Sequence, residues 1–212
     1  MVLARRTIAS LALFAGVAAG CSAPTEGVAR GEFLYQNCAQ CHGVDGRGDT
    51  LVDAPQIAGL PAWYVTEQVQ RFRGGLRGAH HYDVEGLKMR PMARTIKSAA
   101  DVAFVAEYVA TLPPADPATT VKGDSAKGQT AYATCAACHG ADGGGNEVMK
   151  APPLRQLEDW YIVSQLNKFK TGVRGYSPDD ALGAQMRGIA GGLADEVVLN
   201  DLAAYIQTLP SP

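Results

Sequence analysis

Thirteen residues beginning at Asn37, NCAQCHGVDGRGD, return in altered form as TCAACHGADGGGN beginning at Thr134, 97 positions later. The same offset pairs Gly31 with Gly128, Tyr35 with Tyr132, Pro55 with Pro152, Trp63 and Tyr64 with Trp160 and Tyr161, and Arg77 with Arg174. It also pairs Met89 with Met186, Tyr108 with Tyr205, and Leu112-Pro113 with Leu209-Pro210. A constant offset over so long a span marks duplication of a whole folding unit. Any fold for this chain is therefore a fold of about half its length, used twice.

The boundaries follow from composition. LPPADPATTVKGDS, between the copies, is rich in Pro, Thr and Asp and reads as an exposed connector stiffened by proline. The expected domains are 27–113 and 124–212, joined by a linker at 114–123. Each copy shows three helical signals. One runs near Gly31–Cys38 into the Cys-x-x-Cys-His segment. A second covers about Pro61–Phe72, where Val65, Val69, Phe72 and Leu76 recur at helical spacing, as do Ile162, Leu166, Phe169 and Val173 in the copy. The third opens with a capping pattern from Ser98 to Asp101 and continues through Val102, Val105, Val109 and Leu112; Asp195 is the matching N-cap. No stretch alternates with a period of two, so both domains are expected to be all-α. Domains this small have limited cores, and 24 glycines leave room for close approach to a flat, non-protein group.

Residues 1–20 form a separate unit: Arg5 and Arg6, an apolar run from Ile8 to Ala19, then small residues. That is the layout of a secretory signal, too short to span a bilayer. The segment VAAGC is similar to the cleavage box of bacterial lipoproteins, which predicts a lipidated Cys21 holding the mature chain at a membrane surface. The formal charge of −2 gives no reason to expect a nucleic-acid partner.

Three chemistries use Cys-x-x-Cys-His. Disulfides suit an exported chain but leave His42 and His139 idle. Zinc would use two thiolates and an imidazole, yet no fourth strong ligand recurs at the repeat offset. Covalent haem uses every member: two cysteines three apart, at the start of a helix, form thioethers to the vinyl groups, and the adjacent imidazole reaches the iron. Cys38, Cys41 and His42 would hold one haem, and Cys135, Cys138 and His139 the second.

Electron transfer without substrate binding needs a second axial ligand, for which a thioether serves. Met89 and Met186 are related by the repeat, each 47 residues after its histidine, in what reads as a loop before the last helix. Met92, after Pro91, competes with Met89. His80 and His81 fall nearby but correspond to Ser177 and Pro178, so the copy gives them no support. The carbonyls of Pro55 and Pro152 are candidate acceptors for the second imidazole nitrogen. Trp63, Tyr64, Trp160, Tyr161, Arg77 and Arg174 are candidate partners of the propionates.

With CAQCHG and CAACHG, PQIAGLPAWYVTEQVQRFRGG, and MARTIKSAADVAFVAEYVATLP with its copy, the sequence resembles the c-type cytochromes, and more narrowly the tandem dihaem c4 class. The resemblance implies two class I cytochrome c domains with His/Met ligation: His42 with Met89, and His139 with Met186. It implies an electron carrier of the bacterial periplasm, not an enzyme, with redox proteins as donor and acceptor. A terminal oxidase is one such partner. Similar dihaem chains also serve as the cytochrome subunit of flavoprotein oxidoreductases.

Overall fold

The computed structural model describes residues 22–210. The expected signal segment and Cys21 lie outside them. The described chain contains eight helices and no strand longer than an isolated bridge. They are α1 (Gly27–His42), α2 (Ala62–Gly74), α3 (Val84–Thr95), α4 (Ala99–Thr111), α5 (Ser125–His139), α6 (Asp159–Lys170), α7 (Ala181–Gly191) and α8 (Glu196–Ile206). Helices α5 to α8 repeat α1 to α4.

In each half the first and last helices cross so tightly that the crossing residue must be glycine. A Cβ on Gly31 would lie 2.0 Å from the Phe104 carbonyl oxygen, and one on Gly128 1.9 Å from that of Asp201. Beside each crossing a buried tyrosine ties the helix to the loop that follows it. Tyr35 Oη donates to the Gly43 carbonyl and Tyr132 Oη to that of Gly140, both at 2.8 Å. The aromatic pairs Tyr35–Tyr108 and Tyr132–Tyr205 (centroids 5.1 and 5.3 Å apart) fill the crossing. The expected caps form: Ser98 Oγ accepts from the Asp101 amide at 2.9 Å, and Asp195 from that of Val198 at 3.1 Å.

Two features depart from the sequence reading. The Cys-x-x-Cys-His segment closes α1 and α5 instead of opening a helix; Gly43 and Gly140, at φ 78° and 83°, then turn the chain away. And each half has a fourth helix: Met89 and Met186 lie on α3 and α7, not in loops. Gly86 and Pro91 disfavour helix in isolation. The helix forms because Asp83 caps it, accepting from the Gly86 amide at 3.2 Å, and because Pro91 leaves free the carbonyl of the exposed Leu87. Asp180 caps α7 through the Gly183 amide at 2.8 Å.

The two halves face each other across a contact built from equivalent residues. Arg71 pairs with Asp180, and Lys168, its counterpart 97 positions on, pairs with Asp83 at 2.6 Å and with Glu85. The Gln56 amide donates to the buried Glu158 carboxylate at 2.9 Å, and the Gln56 side chain donates to the carbonyls of Ala115 and Gln156. The connector is tied down as well: the Asp159 carboxylate accepts from the Thr120 amide at 2.6 Å and the Val121 amide at 2.7 Å.

Candidate cofactor sites

A cavity adjoins the Cys-x-x-Cys-His motif of each half. The first, about 450 Å³, is lined by Cys38, Cys41 and His42 and by Met89 and Ala93 of α3. The second, about 270 Å³, is lined by Cys135, Cys138 and His139 and by Met186 and Ile189 of α7. The walls are mainly aliphatic and aromatic, as a planar organic cofactor requires.

The imidazoles are oriented. His42 Nδ1 lies 2.8 Å from the Pro55 carbonyl, and His139 Nδ1 2.8 Å from that of Pro152. A carbonyl only accepts, so Nδ1 carries the proton and Nε2 keeps its lone pair for a metal. Burial lowers both histidine pKa values, against the opposing effect of the proline carbonyl, so each ring is neutral at physiological pH. No disulfide joins the two cysteines of either motif. Burial, and then the neighbouring Cys41, pushes the Cys38 thiol up to about 11. This is not the acidic thiol of a dithiol redox catalyst. Among the described residues no three His, Cys, Asp or Glu side chains cluster as a zinc site would require.

Met89 and Met92 both line the first cavity, but differently. Met89 packs against the core, whereas Met92 is 38% exposed at the rim, where the second half has Ile189. His80 and His81 stack on each other with centroids 4.6 Å apart and line neither cavity.

The inner ends of the cavities meet between the halves, where Tyr64 and Tyr161 line both. Arg77 lines the first cavity and Arg174 the second, each stacked on a phenylalanine of its own half (Phe72 at 4.4 Å, Phe169 at 4.3 Å). Arg77 Nη2 donates to Tyr161 Oη at 2.9 Å, and its buried Nε has no partner. Burial, and then the charge of Arg77, pushes the Arg174 guanidinium down to about 10. Two cations held together over apolar walls, one with an orphaned donor, fit a group that brings carboxylates of its own, as haem does. Trp63 and Trp160 line neither cavity; the Trp160 indole N–H is buried and unpartnered.

Sequence reasoning missed the ion pairs between the halves and the caps of α3 and α7. Their signal was present, since Asp83 and Asp180 obey the 97-residue offset, as do Arg71 and Lys168.

The family model for cytochrome c matches residues 28–113 and again residues 125–210. This chain belongs to the cytochrome c family. It is 31% identical to the thiosulfate dehydrogenase electron acceptor of Stutzerimonas stutzeri (strain A1501), over 69% of this chain and 68% of that protein. It is 28% identical to cytochrome c4 of Stutzerimonas stutzeri, over 81% and 84% respectively. The crystal structure of reduced recombinant cytochrome c4 from Pseudomonas stutzeri superposes with a TM-score of 0.68 at 25% identity, over 88% of this chain and all of that one. The chain is a tandem cytochrome of the c4 class with two covalently bound haem c groups. It acts as a dihaem electron carrier or as an oxidoreductase subunit.

Proposed function

We propose that the chain is a periplasmic carrier rather than an enzyme, with Cys38 and Cys41 bonded to one haem and Cys135 and Cys138 to the other. His42 with Met89 would hold the iron of one haem, and His139 with Met186 that of the other. The domains are 27–113 and 124–212, about a 114–123 linker. The observation that carries this reading is that each cavity is lined by the histidine of one Cys-x-x-Cys-His motif together with the methionine at the repeat offset, with both imidazoles held in one tautomer by a proline carbonyl.

Haem so bound supplies one-electron exchange between ferric and ferrous iron. The protein's part is fixed by its own residues. The proline carbonyls hold the imidazole rings in orientation and raise their donor strength. Bound through their sulfurs, Met89 and Met186 would leave the iron no open site for oxygen or peroxide. Aliphatic walls exclude water, and Arg77 and Arg174 oppose the propionate charges. No described helix is long and apolar enough to cross a membrane. A lipidated Cys21, following a cleaved 1–20 signal, would keep the carrier at a membrane surface.

A second reading makes the chain the dedicated acceptor of one oxidoreductase. The relative named as a thiosulfate dehydrogenase electron acceptor favours it and nominates a thiosulfate-oxidising enzyme as donor. A terminal oxidase or a flavoprotein are the other partners this class of carrier would serve. The test is magnetic circular dichroism of the oxidised protein in the near infrared. A methionine-to-iron charge-transfer band of two-haem intensity is expected, halved in Met89→Ala or Met186→Ala and unchanged in Met92→Ala. Full intensity in Met89→Ala would overturn the ligand assignment.

A further inference from the structure

The duplication provides an internal control for surface charge. Residues 27–113 hold nine basic and nine acidic side chains, whereas 124–210 hold seven basic and ten acidic. The difference is concentrated on one element. Residues 87–97, covering most of α3 and the chain just past it, contain Lys88, Arg90, Arg94 and Lys97 and no acid. The equivalent stretch, 184–194, contains Arg187 alone; Lys88, Arg94 and Lys97 become Gln185, Gly191 and Ala194. Because α7 folds in the same way without these three cations, the fold does not require them.

All three are exposed. Lys88 makes a 3.4 Å contact with Asp53, at the surface where such pairs are weak. Arg94 and Lys97 donate to the carbonyls of Arg73 and Arg94, which leaves their charge in place. Arg73 adds another cation, donating to the Lys97 carbonyl at 2.8 Å. Among these charges lie the exposed side chains of Leu87 and Met92. Lys88 and Met92 also line the mouth of the first cavity. An apolar patch bordered mainly by cations, with Asp53 beside Lys88, at the edge of a redox site has the makeup of a transient docking surface.

We propose that the solvent face of α3 docks an acidic one-electron redox protein. This partner then exchanges electrons with the first half of the chain and not with the second. In the exchange the partner loses one electron and the first half gains it, or the reverse. The proposal rests on the carrier reading and adds to it a direction: two halves of one duplication that present different faces to different partners. A protein is favoured over an anionic bilayer because the face reaches the redox cavity through Lys88 and Met92, where electron transfer needs close contact.

Oxidised flavodoxin, an acidic flavoprotein, serves as the probe. Calorimetric titration of the full oxidised dihaem protein measures binding with no electron transferred. The expected result is binding that weakens steeply with added salt. Lys88→Gln/Arg94→Gln/Lys97→Gln should bind at least about tenfold more weakly, with a flatter salt dependence. Lys88→Gln/Lys97→Gln, which leaves the Arg94 contact intact, should lie between. Lys122→Gln/Lys127→Gln should match the parent. Reduction by neutral benzohydroquinone should proceed alike in parent and variants; its failure in the parent would count against the carrier reading and not against the patch. Equal flavodoxin affinity in parent and triple variant overturns the proposal. So does sedimentation with phosphatidylglycerol vesicles that the triple variant loses while its flavodoxin affinity is unchanged, since the face would then be a membrane contact.

Discussion

His42 and His139 are each the last residue of a helix, and the proline 13 positions later fixes what they can do. A change at these prolines would spare the chain's donors but move the acceptor; a change at the arginines would act on charge. Arg77→Gln removes a buried cation next to the first haem. It should lower that haem's reduction potential on the order of 50 mV, because the oxidised, more positive state loses a repulsive neighbour. Spectroelectrochemical titration resolves the two haems. An unchanged potential for the first would mean that Arg77 does not face the propionates. The substitution also removes the 2.9 Å contact with Tyr161 Oη, so a smaller shift at the second haem should accompany it.

Among the helices, the crossing of the first with the last leaves the least freedom. Gly31→Ala or Gly128→Ala places a methyl group against backbone that cannot turn aside. Each should cost about 3 kcal/mol or more, a fall in Tm of roughly 10 °C for a chain of this size. Thermal unfolding followed by far-ultraviolet circular dichroism measures it, and a fall of less than about 2 °C, the effect of a neutral surface change, would contradict the packing. Helices α2, α6 and α4 were legible in the sequence from apolar residues at helical period, α4 and α8 also from their caps, and α1 from its run into the Cys-x-x-Cys-His segment. Helices α3 and α7, which carry Met89 and Met186, were not. Their stability comes from an aspartate cap and from packing on α2 and α6, neither of which local propensity records. The haem motifs were legible for a different reason: five residue types in fixed order, found twice at one offset, state a chemistry without reference to backbone conformation. That Met89 packs against the core while Met92 is exposed could be seen only in the packing, as could the failure of Trp63 and Trp160 to reach the cavities.

The arrangement of the whole molecule depends on charges held between the halves. Burial alone would raise the Asp83 carboxyl; the hydrogen bond and charge of Lys168, with the charge of Arg77 and the Gly86 amide, hold it below the ordinary 3.8. Glu85 is lowered in the same way against its own burial, chiefly by the hydrogen bond from Lys168. A carboxyl with a depressed folded-state pKa stabilises the contact above its ordinary value and loses that stabilisation as pH falls through the depressed one. The halves should therefore stay closed from neutral pH down to about 4 and separate below it. Small-angle scattering should show the radius of gyration rising in that range. Lys168→Ala should bring the rise to higher pH, and a radius that stays constant to pH 2 in both proteins, a limit set at about the depressed carboxylate range, would contradict the ion-pair account. Asp159, whose burial is likewise outweighed by its hydrogen bonds from Thr120 and Val121, ties the connector in the same pH range.

The account as a whole requires a porphyrin joined to each half through its own pair of cysteines. Mass mapping of proteolytic peptides from the purified native protein examines that directly. It should find one haem on the peptide spanning Cys38 to Cys41 and one on the peptide spanning Cys135 to Cys138. Either pair recovered as unmodified thiols, or joined in a disulfide, would contradict it.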